Sequence, residues 1–147
     1  QVAFLKPQTT QVEDFAEKSN FPYKGYSGDG FAEINTNLNN SISIHFKVPE
    51  DGTYALDFKY ANGNGPTNTE NKCAIRTLSV NKEVLGTLVF PQRGKDEWSN
   101  WGFSNSKQVK LSKGTHQLAL TFENSNANMN GDINQAMLDY LRIIKIN

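Results

Sequence analysis

Sulfur is scarce in this chain, which holds one cysteine, Cys73, and two methionines. A single thiol excludes an internal disulfide framework and a thiolate metal cluster. Net charge is missing too, since fifteen Lys and Arg oppose fifteen Asp and Glu. No local block of basic residues compensates, so nucleic acid and anionic membrane surfaces are not expected partners. No apolar run approaches the roughly 20 residues that a membrane span needs. The opening Gln1-Val2-Ala3-Phe4-Leu5-Lys6-Pro7 has neither a charged n-region nor an apolar h-region, so we expect any export signal to have been removed or never present. Catalytic constellations are equally thin. The two histidines, His45 and His116, read as surface residues; no Gly-x-Ser-x-Gly elbow accompanies them, and Cys73 has no histidine nearby in sequence. The glycines from Gly25 to Gly30 follow no strand and open no helix, which removes a phosphate-binding loop. Glu13, Asp14, Asp51, Asp96, Glu97 and Asp132 supply carboxylates, but no spacing singles out a glycoside-hydrolysing pair.

What the chain does have is 147 residues, 37% of them hydrophobic and 11% aromatic, enough for one domain spanning residues 1–147 with a real core. Asparagine is in large excess, with Gly, Ser and Thr, among Tyr, Phe and Trp. Uncharged amides beside aromatic rings suit a neutral, hydroxyl-rich partner. Much of the asparagine falls in three segments, Asn35 to Asn40, Asn62 to Asn71 and Asn124 to Asn134, which read as loops between apolar stretches. Those stretches have period two. Ile42, Ile44, Phe46 and Val48 alternate with Ser41, Ser43, His45 and Lys47; Tyr54, Leu56, Phe58 and Tyr60 repeat the pattern after Pro49-Glu50-Asp51-Gly52. Further strands are expected over Ala74 to Val80, Val84 to Phe90, Gln108 to Leu111, Gln117 to Phe122 and Leu138 to Ile146. The helix-like stretch Gln11 to Lys18 is too short to found a helical fold. The expected fold is all-β, an antiparallel β-sandwich.

Four segments resemble, in order, the carbohydrate-binding modules of families 6 and 35. They are Thr10-Gln11-Val12-Glu13-Asp14-Phe15; Gly25-Tyr26-Ser27-Gly28-Asp29-Gly30-Phe31; Gly52 to Gly63, ending Lys59-Tyr60-Ala61-Asn62-Gly63; and a last group running from Trp98-Ser99-Asn100-Trp101 through Val109 to Gly114 to Asp139-Tyr140-Leu141. The resemblance implies a jelly-roll sandwich of the galactose-binding-like type that is not itself an enzyme. It implies a polysaccharide or oligosaccharide ligand, an attached catalytic domain acting on glycans, and a secreted or extracytoplasmic location. A monomer is expected.

The resemblance also implies structural calcium, with Gln11, Glu13 and Asp139 as ligands and backbone carbonyls near Gly30-Phe31 completing the shell. Gln11 stands where the family has a glutamate, which removes one negative charge. A hard cation of this kind takes six to eight oxygens, which two separated strands can supply together. For the sugar, the matching positions are Tyr26, Tyr60, Asn62, Trp98 and Trp101, with Arg93 in the Trp98 loop and Asn134 as a further amide. Met137 stands where the family commonly carries a sugar-binding asparagine. That departure leaves open a jelly-roll domain that only packs against its enzyme.

Overall fold

The computed structural model describes residues 7–64, 73–127 and 134–147. Ten strands form two antiparallel sheets: β1 (Gln8–Gln11), β2 (Ala32–Ile34), β3 (Ser41–Val48), β4 (Gly52–Ala61), β5 (Ala74–Val80), β6 (Glu83–Phe90), β7 (Gly102–Phe103), β8 (Lys107–Leu111), β9 (Gly114–Thr121) and β10 (Ala136–Lys145). One sheet runs β1-β10-β4-β7, with β2 also on β10 and β8 also on β4; the other runs β3-β9-β5-β6. From β3 onward the chain passes back and forth between the sheets, which makes the jelly-roll sandwich that the strand pattern implies.

Alternation decides which face is buried. Ile42, Ile44, Phe46 and Val48 of β3 meet Tyr54, Leu56, Phe58 and Tyr60 of β4 in one core, joined by Leu118 and Leu120 of β9 and Leu141 and Ile143 of β10. The β5–β6 hairpin turns at Asn81 and Lys82, with φ of 52° and 71°. Positive φ at both positions is the twist that a two-residue hairpin needs. The Gln11 to Lys18 stretch forms no α-helix; a single 3₁₀ turn, Val12–Asp14, follows β1. His116 is not on the surface as expected. It is buried, with Nδ1 2.9 Å from Asn81 Nδ2 and Nε2 2.7 Å from Ser112 O.

Two features place the functional end. β1 and β10 pair antiparallel, Gln8 opposite Ile143 and Gln11 opposite Tyr140. The β10–β4 ladder is regular except between Leu138 and Tyr140, where its register shifts. Such a bulge re-aims side chains, and Asp139 is the residue it carries.

Candidate functional site

Two loops meet at the end of the sandwich where β10 begins. Residues 19–31 cross over residues 92–101 and are tied to them by their backbone. Lys24 N donates to Ser99 Oγ at 2.9 Å, Trp101 Nε1 donates to Lys24 O at 2.6 Å, and Lys59 Nζ donates to Gly25 O at 3.1 Å. An aromatic cluster fills the crossing. Phe31 is buried at its centre, with ring centroids 5.9 Å from Tyr23, 5.3 Å from Tyr26 and 5.5 Å from Trp101. Tyr23 stacks on Trp98 at 5.7 Å and 12°, and on Phe21 at 5.3 Å. Beneath them lie Ala61 and Met137, both fully buried. The methionine that stands where the resemblance implies an asparagine is thus a floor for the rings.

Of the sugar-site residues named from sequence, Tyr26 is exposed (40%), and Trp98 and Trp101 are half-buried rings at the surface of this cluster. Tyr23, Asp96, Glu97, Trp98, Ser99 and Asn100 line a depression of about 420 Å³ beside them. Tyr60, Asn62 and Asn134 are placed differently, inside the protein. Tyr60 is buried and its hydroxyl donates to Pro91 O at 2.7 Å. Asn62 is buried; its side-chain amide donates to Phe90 O at 2.9 Å, and its backbone carbonyl accepts from Arg93 N at 2.8 Å. Gly63 accepts a 2.6 Å bond from Asp96 N and lies against the Trp98 indole. The Tyr60-Ala61-Asn62-Gly63 run thus carries the tryptophan loop on its back.

Asn134 does the same for the opposite loops. Its Oδ1 accepts from Ile75 N at 2.9 Å and from Arg76, and its Nδ2 donates to Asn126 O at 2.8 Å. Arg76, fully buried, also donates to Asn35 O at 3.1 Å; burial pulls its guanidinium down to about 10. Arg93 lies on the far side of the tryptophan loop, in a separate cavity, rather than among the rings of the cluster. Tyr23 and the ring of Phe31 were not named for the sugar site from sequence. The signal was there in Phe21-Pro22-Tyr23, an apolar and aromatic run directly before the Gly25–Phe31 segment.

The expected metal ligands do converge. Ser27 joins them, its N donating to Asp139 Oδ2 at 2.8 Å and its hydroxyl to Asp139 Oδ1 at 3.3 Å, while Gln11 Nε2 donates to Ser27 Oγ at 3.0 Å. That leaves the Gln11 amide oxygen 3.0 and 3.3 Å from the Glu13 carboxylate oxygens; turning the amide over relieves this clash but takes the hydroxyl proton away from Asp139. In the turned orientation the Gln11 amide nitrogen faces the Glu13 carboxylate and its oxygen accepts from Ser27 Oγ at 3.0 Å. Burial raises Glu13, opposed by its own backbone N–H, and the charge of Asp139 raises it further. Burial also raises Asp139, while Ser27 and Lys59 pull it back. Lys59 Nζ is 3.3 Å from Asp139 Oδ2 and supplies one positive charge there. The carbonyl of Phe31 is already engaged by Ser19 N at 2.8 Å. Among the described residues no cluster of three or more His, Cys, Asp or Glu forms.

The described residues thus form a jelly-roll sandwich with partly exposed rings at one loop end. The model of the carbohydrate binding module (family 6) matches residues 11–145, and the chain belongs to that family. A cycloisomaltooligosaccharide glucanotransferase of Niallia circulans is 30% identical over 107 residues, covering 73% of this chain but 10% of the relative. The chain thus spans about a tenth of the length of that curated relative. Among solved structures, a Paenibacillus cycloisomaltooligosaccharide glucanotransferase complexed with cycloisomaltoheptaose superposes with a TM-score of 0.71 at 27% identity, over 91% of this chain and 18% of that one. A family 35 carbohydrate binding module from Clostridium thermocellum gives 0.68 at 23% identity, over 97% of this chain and all of its own.

Proposed function

We propose that this module holds hexose units of a polysaccharide, neutral or uronic, on the aromatic loop end. The observation that carries the reading is the cluster of Tyr26, Trp98 and Trp101, partly exposed yet fixed by backbone hydrogen bonds. Rings in that state offer flat apolar faces to the C–H side of a pyranose at little ordering cost, and Ser99 and Asn100 stand beside them for its hydroxyls. The cycloisomaltoheptaose complex of the Paenibacillus relative supports isomalto-oligosaccharides as the first ligands to try. Tyr60, Asn62 and Asn134 act by holding the loops. The length of the relatives supports an attached glycan-active catalytic domain and an extracytoplasmic setting, where weak binding to a polymer is amplified by tethering. No helix among the described residues is long and apolar enough to cross a membrane.

Gln11, Glu13 and Asp139 fit a hard cation: two carboxylates lie close enough to raise each other's proton affinity, beside an amide whose oxygen can turn toward them. Calcium there would supply the charge that Lys59 supplies only in part, and would tie β1 to β10. One observation favours the rival reading of a docking domain without a ligand, because Tyr23 covers one face of Trp98. Titration calorimetry and affinity electrophoresis with isomalto-oligosaccharides, mannan and uronate-containing glycans separate the two. Binding that Trp98→Ala abolishes supports the sugar site; no binding to any of them, with calcium present, leaves the docking domain.

A further inference from the structure

Where β5 begins, Arg76 is fully buried and knots three stretches of chain together. Its Nη1 donates to Ile75 O at 2.8 Å and to Asn134 Oδ1, and its Nη2 donates to Asn35 O and Asn134 O, both at 3.1 Å. The Phe122 ring covers the guanidinium, its centroid 4.9 Å from Cζ. Every one of these partners is neutral. Among the described residues no carboxylate lies within ion-pair reach of Arg76, in contrast to Arg142, which Asp57 clamps with two bonds of 2.9 and 2.6 Å. Burial pulls the Arg76 guanidinium down only to about 10, so it keeps its charge at neutral pH. A charge in a low-dielectric interior is costly unless an opposite charge accompanies it.

The hydrogen-bond count of the knot is unbalanced in the same sense. Arg76 Nε and Asn126 Nδ2 have no partner among the described residues, and both side chains are fully buried. Both groups are donors. The side-chain oxygens beside them are already taken. Asn134 Oδ1 accepts from Ile75 N and Arg76, and Asn126 Oδ1 accepts from Thr77 Oγ1 at 3.1 Å and Glu123 N at 2.7 Å. One amide joins the two residues, since Asn134 takes the Arg76 bond on Oδ1 and donates from Nδ2 to Asn126 O at 2.8 Å. A water placed there would accept from both free N–H groups but bring two protons of its own to a place short of acceptors. An acceptor that carries negative charge and no proton meets both deficits.

We infer that this knot is a buried anion site, holding a small monovalent inorganic anion such as chloride on Arg76 Nε and Asn126 Nδ2. The site is separate from the ring cluster and does not depend on the sugar reading. Asn35, Asn126 and Asn134 come from separate stretches of chain, and all three are tied to Arg76 or to one another. The anion therefore fastens these stretches against β5. Because only the folded chain assembles the knot, the anion stabilises the fold by mass action.

The test melts the protein in sodium chloride and in sodium gluconate at one ionic strength, gluconate being too large to enter. Chloride at a hundred times its dissociation constant should raise the melting temperature by about 5–10 °C over gluconate. Asn126→Asp puts a carboxylate oxygen where the free amide nitrogen stood, so the chain carries its own anion. That variant should melt in gluconate as the parent does in chloride, with no further dependence on the salt. Crystals soaked in bromide should show anomalous density within about 3.5 Å of Arg76 Nε. Equal melting of the parent in the two salts overturns the inference, as does an Asn126→Asp variant less stable than the parent in both. A water at that position, with no bromide signal, overturns it as well.

Discussion

Gly63→Ala tests whether the tryptophan loop is seated as described. A Cβ at this position would lie 2.9 Å from Trp98 Cδ1 and Cγ and 2.8 Å from Glu97 N. Carbon contacts are ordinarily about 3.5 Å or longer, so the indole has to retreat by about 0.6 Å. Two of the three colliding atoms belong to a ring and the third is backbone, so no flexible side-chain tip can swing aside. The turn cannot give freely either, since Asp96 sits at a φ of 63° and donates to Gly63 O. Overpacking of this kind costs about 1–3 kcal/mol. Loss of the Tyr23–Trp98 stack adds about 0.5–1.5 kcal/mol. A total of about 2–4 kcal/mol lowers the melting temperature of a domain this size by about 5–12 °C. Near-ultraviolet circular dichroism should lose its tryptophan fine structure, and binding of isomalto-oligosaccharide should weaken about tenfold. A melting temperature unchanged within about 1 °C, with the aromatic spectrum intact, would refute this seating of Trp98 on Gly63.

Other perturbations reach the remaining parts of the site. Lys59→Met removes the positive charge beside fully buried Asp139. It should destabilise the calcium-free protein by about 3 kcal/mol in urea titrations, and added calcium should restore more stability to the variant than to the parent. Chelation of the parent should lower its melting point by mass action, by the equivalent of about 2.7 kcal/mol if calcium had been present at a hundred times its dissociation constant. Metal-free protein with an identical melt would remove Gln11, Glu13 and Asp139 as ligands. Burial raises the Tyr60 phenol above its ordinary value of 10.0, an effect the nearby Arg93 charge opposes. The folded state therefore keeps this proton longer than the unfolded state. Its contribution is complete below about pH 10 and falls as pH climbs through the folded value. Urea melts from about pH 9 to 11 should show this loss, and Tyr60→Phe should flatten it while costing about 1 kcal/mol at neutral pH.

The long strands were legible because burial on one face writes itself as alternation, and Ser41–Val48 is the plainest case. The short strands were not. Gln8–Gln11 has no apolar residue to alternate, and Gly102–Phe103 is two residues held by pairing with Lys59 and Tyr60. His116 looked exposed because it follows a turn, yet the Asn81 and Ser112 groups that cover it come from elsewhere in the chain or from the turn itself. The motif residues Tyr60, Asn62 and Gly63 were legible as a unit but not in role, since nothing in their order tells a ligand contact from a buckle behind one. Tyr23 and Phe31 needed the crossing of two loops, which no period in the sequence encodes. The expected calcium ligands were the reverse: Gln11 and Glu13 stand far from Asp139 in the chain, and only the strand pairing implied by the resemblance brought them together.

The pairing of β1 with β10 has a consequence for how the module is carried. β10 begins beneath the aromatic rings, at Met137, and runs to Ile143, opposite Gln8. Those six residues of extended chain span about 20 Å. Polypeptide entering β1 and polypeptide leaving β10 therefore meet the domain at one pole, side by side, with the ring-bearing loops at the other. A domain with that geometry can be spliced into a longer chain as readily as hung from its end, because the two connections need almost no separation. In either arrangement the rings are turned away from both connections.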